Sequence, residues 1–384
     1  MSLFFKIMAD RYYFDHNATT PVSPEVFQAM APVMTEIFGN ASSIHSFGQH
    51  ARKLLDEARR EVAAMIGATA KEIVFTSGGT ESDNTVLFGF GKQGHVITTS
   101  VEHPAILHAA AQLPAVTAVP VDANGLVDPD AVRRVIRPRT KLISVMHVNN
   151  EIGVIQPVEE IAKIAHEEGI LFHSDGVQAP GKIPVNVKKL GVDLYSISAH
   201  KIYGPKGIGA LYVRKGTALP PLLHGGPHEN KLRAGTENVA GAVGFGRAAK
   251  WVIENGVAEA ARLAALRDRL EQGILDRVPD AHVNGTGAPR VPNTSNIRFD
   301  GIDSEPLLIA LDLRGFAVSS GSACSSGATE PSHVLAAIGL TREQARSSVR
   351  FSLGRSNNVD QVDALIEAVA QVVAHLRKLA PSYA

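Results

Sequence analysis

Residues 170–207 read ILFHSDGVQAPGKIPVNVKKLGVDLYSISAHKIYGPKG. Two short apolar runs, ILFHS and LYSIS, each give way to a polar cluster, with chain enough between them for a crossover. Parallel neighbours in a sheet need such crossovers, usually helices, so the stretch predicts two parallel strands. Outward from it the same rhythm repeats in EIVF (72–75), HVITT (95–99), VTAVPV (116–121), KLISVMHV (141–148) and GALYVR (209–214), most of them followed by an amphipathic stretch. Strands this apolar are covered on both faces, so the class is α/β with a mostly parallel seven-stranded sheet. Between about 236 and 278 the texture turns to Ala, Leu, Arg and Glu at helical spacing, which predicts a long connecting helix or helix pair. Beyond it, NTSNIRF, FAVSS and SVRFSL read as strands, and EPLLIALDLR, PSHVLAAIG and VDALIEAVAQVVAHLRKL as helices, a small α+β unit.

The composition is that of a globular protein: 384 residues, 45% hydrophobic and 20% charged. Lys+Arg 38 against Asp+Glu 38 leaves no net charge, which removes the long-range attraction that nucleic acid or an anionic membrane exploits. The one cysteine, Cys324, can close no intrachain disulfide and build no thiolate metal cluster, so a cytoplasmic protein without a structural metal is expected. MSLFFKIMAD lacks the basic run and cleavage site of a secretory signal and reads as an arm or an appended, non-native remnant. No apolar run is long enough for a membrane span.

The polar clusters FTSGGTESDN, TTSVEHP, HVNNEIG, HSDGVQ and SISAHKIYGPKG all follow strands. Ligands of open α/β sheets bind at the carboxyl ends of the strands, so the clusters converge on one rim. Their chemistry matches the needs of pyridoxal phosphate: an amine for an imine (Lys201), a carboxylate for the pyridine nitrogen (Asp175), a ring-stacking group, and a Gly/Thr turn opening a helix for the phosphate (Gly78, Gly79, Thr80).

Together with DHNATTP (15–21), RAGTEN (233–238), SSGSACSSG (319–327) and RFSLGR (350–355), these motifs resemble, in order and over nearly the whole chain, the cysteine desulfurases of the NifS and IscS type. The resemblance implies the aspartate aminotransferase-like fold (fold type I), with a large pyridoxal phosphate-binding domain over 15–255 and a small domain from 1–14 and 256–384 that carries the Cys loop and Arg350. It implies Lys201 as the imine lysine, Asp175 as partner of the ring nitrogen, Gln178 as donor to the phenolic oxygen and His103 as stacking acid/base. Asn150 faces cofactor and substrate carboxylate. Gly79, Thr80, Ser198 and His200 hold the phosphate, joined by Thr236 from the neighbouring subunit of a homodimer. Arg350 clamps the carboxylate of L-cysteine, and Cys324 is the nucleophile that takes the sulfur as a persulfide and passes it to an acceptor such as an iron–sulfur scaffold. A small, polar, Gly-rich setting suits a thiol that must visit two places. The rivals are a selenocysteine lyase or related class V aminotransferase and, from another class, a sulfur carrier with a vestigial cofactor site.

Each residue alone has a plainer reading. Lys201 is a solvated charge, Asp175 a turn or cap residue, His103 a helix cap, and Arg350 the partner of an acidic neighbour.

Overall fold

The computed structural model describes residues 11–320 and 331–379. Strand β1 (Tyr12–Tyr13) lies in the amino-terminal arm. Strands β2 (Ile73–Thr76), β3 (His95–Thr99), β4 (Val116–Val119), β5 (Thr140–Ser144), β6 (Leu171–Asp175), β7 (Leu194–Ser198) and β8 (Gly209–Val213) form one seven-stranded sheet in the order β2-β8-β7-β6-β5-β3-β4. The neighbours from β7 through β4 are parallel, as the crossovers predict, while β8 runs antiparallel to both β7 and β2. The short link from β7 to β8 cannot make a crossover, so the strand must return antiparallel. Strand β4, at the edge, stops before Pro120, which has no N–H for the ladder.

Alternate residues feed opposite faces. Ile143 and Ile197 join the larger core with the helices Ser46–Met65 and Val158–Glu167, while Leu142 beside Ile143 on β5, Leu194 on β7 and Leu211 on β8 pack with Val86 and Leu87 of the helix Gly79–Gly91. The stretch read as a helix or helix pair is one helix, Val239–Arg277. Its first part buries Ala242, Phe245, Ala248 and Ala249 against the large sheet, and its last part buries Leu263, Leu266, Leu270 and Ile274 in a second core. Between them Ile253 and Val257 are exposed.

The second core is built on β9 (Ala281–Val283), β10 (Thr294–Phe299) and β12 (Ser348–Ser352), antiparallel in the order β12-β10-β9, under the helices Ser304–Leu313 and Val359–Leu379. Strand β11 (Phe316–Ala317) pairs in parallel with β1, which brings Phe14 into this core. FAVSS is thus a strand of two residues only, because its partner is equally short. Among the described residues no helix is long and apolar enough to cross a membrane.

Candidate active site

Strands β2, β3, β5, β6 and β7 run in one direction, so the clusters that follow them open on one edge. There a cleft of about 410 Å³ is lined by Gly79, Thr80, His103, Asn150, Asp175, Gln178, Ser198, His200 and Lys201, and by Arg350 from the second core. Ten residues singled out from sequence therefore meet in one place.

Asp175 ends β6, buried, with Oδ1 accepting from the Val177 N–H at 2.9 Å. Gly176 beside it is required by close packing, since a Cβ there would stand 1.9 Å from the ring of Tyr195. Burial pushes the Asp175 carboxyl up, opposed by His103 and, more weakly, by the Val177 N–H and Lys201. His103 does cap its helix: Nδ1 accepts from the Ala105 N–H at 3.1 Å. That acceptor role puts the ring proton on Nε2, and burial lowers the pKa so that the imidazole is neutral. The plain readings of both residues are present, and both side chains still line the cleft.

Lys201 sits in a one-turn helix, Ala199–Lys201, after β7. Its Nζ donates to the carbonyls of Asn17 at 2.5 Å and Ala18 at 2.7 Å, both in the arm. Gln178 donates from Nε2 to the same Asn17 carbonyl at 2.9 Å.

At the other end, the first turn of the helix Gly79–Gly91 presents backbone N–H groups that no helical carbonyl occupies. A recess there shares Gly79, Thr80, Ser198 and His200 with the main cleft and adds Thr19 and Lys206. His200 is neutral, its pKa pushed down to about 4 by burial, then by Lys201 and Lys206, and Nδ1 lies 3.1 Å from the Thr19 hydroxyl. Lys206 is the basic residue of this recess; its place in GPKG gave no spacing signal of its own.

Arg350, on β12, is 2% exposed and reaches the cleft from the opposite wall. One guanidinium nitrogen pairs with Asp15 at 2.6 Å and another donates to the Asn150 carbonyl at 3.0 Å. An acidic partner was the plainer expectation, and Arg350 has it while still facing the cleft.

Besides Lys206, three residues given no role from sequence belong to the site. Asn17, inside the quoted DHNATTP, joins both walls: its backbone N–H donates to the Ser352 hydroxyl, and Nδ2 to Thr294 and to the Asn150 carbonyl. Asp83 lines the cleft, buried, with Oδ1 lacking a hydrogen-bond partner among the described residues but 3.6 Å from His173 Nε2, and with Asp175 near enough to raise its pKa. Lys182 contacts Asn17 and Gln178 from behind. Only the fold brings these groups to the others.

Thr236 is exposed and does not line the cleft of its own chain. Its segment is tied to the phosphate-side helix through Arg233, which pairs with Glu81 at 2.9 Å. Cys324 lies outside the described residues. Among the described residues no cluster of His, Cys, Asp and Glu could hold a metal.

The donor set fits pyridoxal phosphate. The cleft combines an amine, a buried carboxylate, an uncharged imidazole and an amide, and ends in a recess of N–H, hydroxyl and ammonium donors suited to a phosphate dianion, where the Glu81 carboxylate is engaged by Arg233 and the Ser77 N–H. The family model for class-V aminotransferases matches residues 12–365. The chain is 48% identical over 383 residues to a cysteine desulfurase IscS of Dictyoglomus turgidum, covering 97% of each. It is 48% identical over 378 residues to that of Methanosarcina thermophila, covering 96% of this chain and 93% of that one. A solved structure of a NifS-like protein superposes with a TM-score of 0.88 at 36% identity, over 95% of this chain and 100% of that one. The chain belongs to the class-V aminotransferase family and, within it, to the cysteine desulfurases of the NifS/IscS type.

Proposed function

We propose that this cleft converts L-cysteine to L-alanine and hands the sulfur to Cys324 as a persulfide. The observation that carries the reading is the meeting of the Lys201 amine, the buried Asp175 carboxylate and the Arg350 guanidinium in one cleft on a pyridoxal phosphate-dependent family fold. Lys201 would hold the cofactor, Asp175 its ring nitrogen, Gln178 its phenolic oxygen and His103 its face. Gly79, Thr80, Ser198 and His200 would hold its phosphate. When bound, the cofactor supplies an electron sink for the pair left behind as the substrate's α-proton departs.

The chain's own groups do the rest. Arg350, shared between Asp15 and the substrate, binds the cysteine carboxylate with a planar fork, next to Asn150. The Lys201 amine takes the α-proton, and His103, neutral and protonated at Nε2, moves protons across the cleft. The Cys324 thiolate attacks the substrate sulfur: an S–S bond forms, the C–S bond breaks, and its electron pair stays with the carbon, which is protonated to give alanine.

The reading extends to a homodimer in which Thr236 serves the neighbouring site, and to the two units over 15–255 and over 1–14 with 256–384. Exposed Phe27, Met34, Phe38, Ile44 and Phe47, clustered on and between the first two helices, support a covered face. A cytoplasmic sulfur acceptor, such as an iron–sulfur scaffold, completes it. The test is to incubate pyridoxal phosphate-loaded protein with L-cysteine, quantify alanine and sulfide, and weigh the intact chain. Alanine, with about 32 Da added at Cys324, is expected. Cys324→Ala should stop sulfide release and leave the yellow cofactor complex intact; undiminished sulfide release from that variant removes Cys324 as nucleophile.

A further inference from the structure

Lys182 is an unusual lysine. It is 7% exposed, and its Nζ donates to Asn17 Oδ1 at 2.8 Å and, in a short contact, to Gln178 Oε1. Among the described residues no ion pair joins it to a carboxylate; the charged groups it feels are Lys201 and Arg350, with His16 feeling Lys182 in turn, and Glu259 and Arg355 line the small cavity beside it. Burial, then those two cations, push its pKa well down. Burying a lysine with no carboxylate beside it is costly. Gly181, with φ +79, sets the turn from which Lys182 enters.

What a lysine contributes here follows from its hydrogen-bonding inventory. A side-chain amide can present either its oxygen or its nitrogen to a neighbour, whereas a lysine nitrogen carries at least two N–H groups in either protonation state, and two of them are directed here at amide oxygens. Facing Lys182, Gln178 offers Oε1 and Asn17 offers Oδ1, which also accepts from Asn293 Nδ2 at 3.1 Å. The Gln178 NH2 is thereby turned the other way. One of its N–H groups is used on the Asn17 carbonyl, which leaves the second for the cleft that Gln178 lines.

We propose that Lys182 is a positioning residue that fixes the Gln178 side chain as an N–H donor toward the phenolic oxygen of the cofactor. The proposal rests on the reading of Gln178 given above. An N–H donated to that oxygen stabilises its negative charge, and most so when the neighbouring nitrogen, the one joined to Lys201, carries no proton. Loss of the donor therefore raises the pH at which that nitrogen deprotonates.

The experiment is a visible-absorbance pH titration of the pyridoxal phosphate-loaded full chain without cysteine, for the unmodified protein, Gln178→Ala, Lys182→Met and the double variant. Each single variant is expected to move the colour-change midpoint upward by about one pH unit, and the double variant no further than the larger single shift, because the two side chains act as one unit. Lys182→Arg, which only donates, is expected to keep the original midpoint. A midpoint unmoved by Gln178→Ala sinks the reading of Gln178 and this proposal with it. A midpoint moved by Gln178→Ala but not by Lys182→Met, or two shifts that add, overturns the proposal alone. Should Lys182→Met fail to fold, Lys182→Gln takes its place: its amide can present either end, so a partial upward shift is expected, and none overturns the proposal.

Discussion

The two walls of the cleft are built differently. The sheet wall takes Asp175, Gln178, Ser198, His200 and Lys201 from residues 175–201, all hung on the carboxyl ends of two adjacent parallel strands, β6 and β7. The opposite wall is assembled from the ends of the chain: Asp15 and Asn17 from the arm, Asn293 and Thr294 from the start of β10, and Arg350 from β12, held together by side-chain hydrogen bonds across more than 270 residues of sequence. On the first wall a strand-to-loop step places each group. On the second, each group is placed by its partners, so a single substitution there disturbs several positions together.

Lys201→Ala is the sharpest test of the sheet wall. It removes the one amine that this wall directs at the Asn17 and Ala18 carbonyls. Turnover should fall by about a thousandfold or more, with the fold retained by circular dichroism and no chromophore that borohydride fixes at position 201. A yellow, borohydride-fixed adduct at another lysine would break the contrast, because the chemistry would then not depend on where β7 ends.

Arg350→Lys probes the assembled wall at smaller cost. The charge stays but the fork that spans Asp15 and the Asn150 carbonyl does not. KM for cysteine should rise by roughly tenfold to a hundredfold, about 1–3 kcal/mol, with a smaller change in kcat. Because Asp15 is left with a poorer partner, the melting temperature should fall as well. A fall in kcat alone, at unchanged KM, would move Arg350 from substrate binding to the chemical step.

The smallest effect is a slope. Glu102, next to His103 on the sheet wall, is buried, and burial pushes its carboxyl up to about 8; one oxygen accepts from the Met146 N–H at 3.0 Å and the Thr99 hydroxyl at 2.7 Å, and Oε2 has no hydrogen-bond partner among the described residues. Its native pKa lies above the unfolded value, so its stabilisation is complete below about pH 4.5 and is lost as pH rises through 8. Two histidines, buried His147 and half-buried His200, have the opposite sign. His147 and His200, held near 4, are neutral in the native state and become a liability as pH falls from 6.5 toward 4. Melting temperature should therefore pass through a maximum between these limbs. Glu102→Gln should flatten the alkaline limb and steepen the acid limb above pH 4.5, where the loss of the Glu102 contribution opposes the gain from the histidines; an unchanged alkaline slope would show that another group governs it.

Much of the sheet wall could be read before any coordinates, because apolar strands with period two and polar clusters at their ends are local signals. Lys201 and Asp175 sit where those signals put them. The long helix Val239–Arg277 was legible as helical texture, but not as one unbroken helix serving two cores, since that depends on what each half meets. Asn17, Asp83, Lys182 and Lys206 carried no such signal. Their side chains are ordinary in sequence, and Asn17 gains its role only by touching Gln178, Thr294 and Ser352 at once.

The sequence by itself determined the succession of strands along the chain, the motifs of the family, and the chemical types of the candidate catalytic groups, because backbone periodicity and strand-end chemistry are written within a few residues. Tertiary structure alone decided which amide faces which donor, that Arg350 shares its fork with Asp15, and that a second lysine stands behind the first. Hydrogen bonds between side chains far apart in the chain have no periodicity to betray them; they exist only once burial has brought their donors and acceptors together and removed the water that would otherwise satisfy them.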